Sequence, residues 1–340
     1  MMALLPLLGA LCLAPPPAST GPRLVSQPGD EVLCPRLDAS RGELSFEVAG
    51  DGARSVQVFN LQKGKATAVP TPARASRDHV FVPRSQKAVL NLLDADGRWS
   101  ITIGGREPSS PSAASDIEAD VTPDGRFVAF VSGRTGRGDV YVAETARQNQ
   151  SPRRITQDPL PDLAPRWSPD GRRLAVLRVT SQGRQLVVLT GVDAGGAVEE
   201  HPACDERDGP LAMSWRPDGK ALAFYGQDWG VGTSLFLSDG GDAGLTQKLV
   251  TGVRPQRAGP AWLPDGTGGW LAVVVRLDDV IVGVNAAGEA TPLATRAFGH
   301  GDLACGVVAG KRMLAFTALG LLGGETMDVR HRKLYLEVLP

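Results

Sequence analysis

Short apolar runs of a few residues alternate with polar, turn-rich stretches along most of the chain. The clearest case is Ala164 to Leu177, which reads APRWSPDGRRLAVL. One run ends at Trp167, a tight turn follows at Ser168, Pro169, Asp170 and Gly171, and a second run starts at Leu174. Proline presets φ for the first central position of a type I turn. Aspartate suits the second, and glycine takes the left-handed position that closes a bulged hairpin. The stretch therefore predicts a β-hairpin.

The hairpin recurs. Pro-Asp-Gly at 123–125 precedes Phe127-Val128-Ala129-Phe130, and at 217–219 it follows Trp215 and precedes Ala221-Leu222-Ala223-Phe224. At 264–266 it follows Trp262 and, after a short insertion, leads to Trp270-Leu271-Ala272-Val273. The prolines at 123, 169, 217 and 264 are 46, 48 and 47 residues apart. A period of roughly 40–50 residues, each unit holding several short strands, predicts a β-propeller. Trp167, Trp215 and Trp262 share one repeat position, where an aromatic wedged between blades is expected. The turn aspartates Asp124, Asp170, Asp218 and Asp265 are expected to satisfy turn backbone.

Trp-Ser-Pro-Asp-Gly-x-x-Leu-Ala resembles the WD-like propeller repeat of the TolB family, which is common in bacterial envelope proteins. That resemblance implies four-stranded blades and an envelope partner bound at one face of the propeller. It does not single out partner-binding residues, and the same blades serve binding proteins and peptidase domains alike. TolB itself has six blades and a separate N-terminal domain, for which this chain has no room.

Weaker units flank the four clear ones. Glu43 to Val48, Ser55 to Leu61 and Lys65 to Val69 read as strands, as do His79 to Pro83, Ala88 to Leu93 and Trp99 to Ile103. After the clear blades come Leu303 to Val308, Met313 to Phe316 and Lys333 to Leu339. Turn positions then predict seven blades in an all-β fold, with six as the alternative if the two weak N-terminal units merge. The last unit lacks a fourth strand. An open edge invites pairing with another chain, and the spare strand-like piece Glu31 to Pro35 is the expected closure. The domain reading is a leader over 1–20, a lead-in with a closing strand over 21–40, and the propeller over 41–340.

The 340 residues carry a formal net charge of −1, which argues against a dedicated nucleic-acid binder. Gly 41 and Pro 26 fit many turns. Met1 to Ala14 is apolar but too short for a stable span. With the Pro-rich stretch after it, it reads as a signal peptide cleaved between Ala14 and Gly21. The expected mature protein is periplasmic or secreted, monomeric and without a membrane span. Of the four cysteines, Cys12 falls in the leader. Cys34, Cys204 and Cys305 then leave either one bridge or free thiols, and no zinc pattern.

Contiguous catalytic motifs are missing. Gly-x-Ser-x-Gly does not occur, and His79, His201, His300 and His331 are scattered. No cofactor or metal is expected from these residues. Attention moves to the loops opposite the Pro-Asp-Gly turns, because variable loops on a rigid scaffold carry function. Asp116, Asp162 and Asp302 lie five positions before the Trp position, with Arg257 in the sixth unit. They either ring the channel mouth or cap their own loops. His300 lies beside them, and Trp229 is either a recognition anchor or folded over its own blade. The expected function is non-enzymatic binding of a protein or peptide of the cell envelope. The alternative is an enzyme with a site dispersed over the central channel, a lyase or glycan-active propeller.

Overall fold

The structure, a computed structural model, describes residues 21–340 apart from 28, 51–52, 71–75, 84, 86, 107–112, 148–149, 194, 196, 229, 231, 241–245, 294–296 and 323–330. It is a seven-bladed β-propeller. In each blade an inner strand starts at the channel and the chain meanders outward through antiparallel neighbours. Blade one is Glu31–Asp38, Glu43–Gly50, Ala53–Asn60 and Lys65–Ala68. Blade two is Ser76–Phe81, Ala88–Leu93 and Trp99–Ile103 among the described residues. Blades three, four and five begin at Asp116–Val121, Asp162–Trp167 and Ala212–Trp215. In blade six the inner strand is split into Val253–Arg254 and Ala261–Pro264, both paired with Trp270–Arg276.

Blade seven runs from Leu303–Val308 through Lys311–Ala318 to Lys333–Leu339, and Arg23–Leu24 supplies its fourth strand. The closing strand is thus not Glu31 to Pro35. That piece belongs to Glu31–Asp38, the inner strand of blade one, where it pairs with Glu43–Gly50. The N-terminus does seal the ring, but with the segment just before it.

The repeat chemistry explains the hairpins. Gly125, Gly171 and Gly219 have φ of 76°, 71° and 72°, the left-handed backbone that the turn demands. Asp124, Asp170 and Asp218 accept main-chain N–H groups two residues on, from Arg126, Arg172 and Lys220. Trp167, Trp215 and Trp262 are buried in the apolar layers between neighbouring blades. The Trp215 indole also donates to the Arg166 carbonyl of the preceding blade at 3.0 Å. No disulfide joins Cys34, Cys204 and Cys305 to one another. Among the described residues no helix is long and apolar enough to cross a membrane. The leader stretch 1–20 lies outside the described residues, as does Trp229.

Candidate functional site

The inner strands carry a shared irregularity. Register slips between Leu33 and Arg36, and again between Leu163 and Arg166, and blade three slips opposite Ala129 to Val131. At the slips Cys34, Glu118 and Ala164 have φ of 50°, 58° and 49°. A non-glycine residue in this region costs about 1–3 kcal/mol unless its surroundings hold it there. For Cys34 and Ala164 the preceding blade of the ring does so. The Cys34 N–H donates to Asp302 Oδ2 at 2.9 Å, and the Ala164 N–H donates to Glu118 Oε2 at 2.7 Å.

The bulges turn side chains into the central channel. A cavity of about 160 Å³ forms there, lined by six of the seven blades. Blade one contributes Cys34 and Arg36, blade three Glu118, blade four Arg166, blade six Gln256 and Arg257, and blade seven Asp302. Asp120, two residues after Glu118, occupies the repeat position of Arg36 and Arg166 but does not itself line the cavity. It accepts the Trp167 N–H at 2.7 Å. Desolvation raises its carboxyl above the usual range, against the opposing pull of Arg166, the Trp167 amide and Arg36. Gln256 is buried and its amide donates to the Gly301 carbonyl at 3.3 Å. Guanidinium and carboxylate groups from separate blades therefore face one small space.

Of the residues expected from sequence, Arg257 and Asp302 line this cavity. Asp116 and Asp162 do not. Asp116 is held by Arg134 at 3.1 Å. Asp162 is buried against Arg178 at 2.9 Å, and the same guanidinium reaches Asp158 at 2.6 Å and Glu200 at 2.5 Å. Burial raises the Asp162 carboxyl, with Arg178 opposing. Both aspartates brace their own blades. His300 is buried against Phe316, and its main-chain N–H donates to Asp279 Oδ1 at 3.1 Å. Burial lowers its pKa although Asp279 lies beside it.

Sequence reasoning missed Arg36, Glu118, Asp120, Arg166 and Gln256. The signal lay in the same repeat register, between the loop and the Trp position, but the bulge that decides which residue faces inward leaves no mark in the alternation. Two thiols are chemically quiet: desolvation pushes the buried Cys204 up to about 12 and the half-buried Cys305 further still. No three His, Cys, Asp or Glu side chains among the described residues are grouped to hold a metal ion.

No family model matches the chain. It is 26% identical over 184 residues to the uncharacterized peptidase YuxL of Bacillus subtilis. That match covers 53% of this chain and 25% of the relative, so the chain spans about a quarter of the curated relative's length. Among solved structures, one assigned as TolB of Agrobacterium tumefaciens aligns with a TM-score of 0.53 at 19% identity, over 67% of this chain and 84% of that one. A puromycin-hydrolyzing peptidase of Mycobacterium tuberculosis gives a TM-score of 0.65 at 14% identity, over 86% and 49%. An oligogalacturonate lyase in complex with manganese gives 0.64 at 14% identity, over 93% and 92%. The fold is the TolB-type propeller.

These comparisons correct the expectation of a non-enzymatic binder, and with it the lean away from an enzyme. Besides TolB, the proteins that the chain resembles include ones named as peptidases and as a lyase. A site drawn from separate blades of a propeller would leave no contiguous motif, so the lack of one in the sequence does not argue against an enzyme. The manganese of the lyase has no matching donor group among the described residues here.

Proposed function

We propose that the chain is a propeller enzyme whose site is dispersed over the central channel, and that it is a lyase acting on an acidic glycan. The observation that carries this reading is the channel cavity that Arg36, Glu118, Arg166 and Asp302 line from four separate blades, with the Asp120 carboxylate near enough to Arg36 and Arg166 to feel their charge. Elimination from a uronate needs a base for the proton next to the carboxylate, and positive charge to steady the enolate that develops. Asp120 suits the first role, because a raised pKa brings a carboxylate closer to working pH. Arg36 and Arg166 suit the second, since a guanidinium matches a carboxylate with paired N–H donors. The proton passes to Asp120, a carbon–carbon double bond forms, and the glycosidic oxygen leaves toward the solvent side and takes a proton there.

The likeness to a lyase extends over almost the whole of both chains, whereas the peptidase matches fall on part of those proteins. The chain also has no Gly-x-Ser-x-Gly stretch. We place the mature protein in the periplasm, a reading supported by the apolar first residues and the TolB-type fold.

The test incubates purified protein with oligogalacturonates and follows ultraviolet absorbance of the conjugated, unsaturated uronate. Asp120→Asn keeps the acceptor for the Trp167 N–H but removes the base, and should lower the rate at least about 100-fold. Absence of unsaturated product from the parent, or equal rates for parent and Asp120→Asn, overturns the reading. Cleavage of aminoacyl amides without any elimination would replace it with a peptidase.

A further inference from the structure

The seam between blades one and two breaks the repeat at three positions together. In the seam between blades four and five, Ala175, Leu177 and Met213 are buried in one apolar cluster. Their counterparts by strand register are Ser45, Glu47 and His79. All three are buried. The two positions hold Ala129 and Val131 in blade three, Ala223 and Tyr225 in blade five, Val273 and Val275 in blade six, and Val89 with the buried amide Asn91 in blade two, so among these blade one alone pairs a hydroxyl with a carboxylate there.

The three groups bond in series. The His79 main-chain N–H donates to Glu47 Oε1 at 3.3 Å, and His79 Nδ1 lies 3.2 Å from the same oxygen. His79 Nε2 lies 2.9 Å from Ser45 Oγ. Ser45 Oγ is 3.4 Å from the Arg36 carbonyl, directly across the strand pair. The other Glu47 oxygen faces Arg54 at 3.5 Å. Phe81 meets the imidazole edge-on. The charged side chains on the neighbouring inner strand of blade three, Glu118 and Asp120, bond forward to Ala164 and Trp167 of blade four. Burying three polar groups where the repeat uses apolar ones is unfavourable unless they satisfy each other, and such a network is specific for one proton arrangement at a time.

We propose that Glu47, His79 and Ser45 form a proton-binding relay that acts on the peptide group of the channel residue Arg36. With a neutral imidazole, Nδ1–H donates to Glu47 and Nε2 accepts the Ser45 hydroxyl proton. When His79 takes one proton from solvent, Nε2–H donates to Ser45 Oγ instead. The hydroxyl proton then turns to the Arg36 carbonyl. One proton is gained, no covalent bond to carbon changes, and the hydrogen bond to Arg36 is made or lost. Ser45 is a poor nucleophile candidate, since it is buried and does not line the channel cavity. The inference stands on the seam geometry and does not depend on which reaction the channel performs.

The test is a pH titration of the isotope-labelled full chain by NMR between about pH 5 and 8, where imidazoles ordinarily titrate. The Arg36 carbonyl shares its peptide group with the Leu37 N–H, so that amide reports on the bond. The His79 ring and the Leu37 amide should shift with one midpoint. In Ser45→Ala, which restores the alanine that the repeat uses, His79 should still titrate while the Leu37 shift disappears. A His79 ring that does not titrate over this span overturns the proposal. So does a parent Leu37 amide that ignores pH, or one that still follows it in Ser45→Ala.

Discussion

The Glu118 carboxylate in blade three holds the main-chain N–H of Ala164 in blade four at 2.7 Å. It thereby fixes a left-handed residue, φ 49°, that alanine does not adopt for its own sake. Glu118→Ala should cost about 1–3 kcal/mol, because the amide is left without its acceptor. Glu118→Gln keeps an acceptor and should cost less. Denaturant melts of the two variants check this, and equal losses would show that the contact does not support the bulge.

Trp215 should be the costliest single truncation in the repeat core. It is buried between blades four and five and donates to the Arg166 carbonyl. Trp215→Ala should lose roughly 3–5 kcal/mol, the range for deleting a large buried aromatic. Since each blade leans on its neighbours, hydrogen exchange in blade four should quicken as well. A melt like the parent's would contradict this.

Glu337 predicts a pH dependence with a definite sign. It is buried in the third strand of blade seven, one carboxylate oxygen has no hydrogen-bond partner, and burial pushes its carboxyl from 4.5 up to about 7. A carboxyl with a raised folded pKa favours the folded state at low pH. That contribution is present below about 4.5 and is lost progressively as pH rises to about 7. Glu337→Gln should remove this slope and leave the protein more stable than the parent by about 2–3 kcal/mol above pH 7. Melts of both proteins across the range provide the check, and parallel profiles would refute it.

The edge strand Arg23–Leu24 should matter more than its length suggests. It pairs with Leu336 and Tyr335, and the adjoining Val25 N–H donates to the Leu334 carbonyl. A chain begun at Gln27 exposes that edge of Lys333–Leu339. It should aggregate or lose a cooperative melt, whereas one begun at Gly21 should behave as the parent. Light scattering on heating distinguishes them.

The blade architecture was legible because each hairpin repeats a local chemical demand. Ala88–Leu93, Trp99–Ile103, Leu303–Val308 and Lys333–Leu339 fall where alternation and turns put them. The closure was misread because Glu31–Asp38 lacks a Pro-Asp-Gly turn after it and its bulge at Cys34 interrupts the alternation. The same bulges hid the channel. A one-residue slip exchanges the two faces of a strand, so the residues facing inward are Glu118 and Arg166, while Asp116 and Asp162 turn to Arg134 and Arg178. The seam of Ser45, Glu47 and His79 was written in the sequence only as departures from a repeat whose register the bulges had obscured.

The closure also imposes an order on synthesis. Leu334 donates its main-chain N–H to Ser26 Oγ, a partner 308 residues earlier in the chain. The ribosome releases the first of these segments long before the second exists. Blades in the middle can form from local hairpins as they emerge, but the N-terminal strand must wait, unpaired, for nearly the whole translation time. The growing chain is therefore an open arc with two sticky ends, and its exposure to misassembly is set by elongation and by any holding factor rather than by the stability of the finished ring.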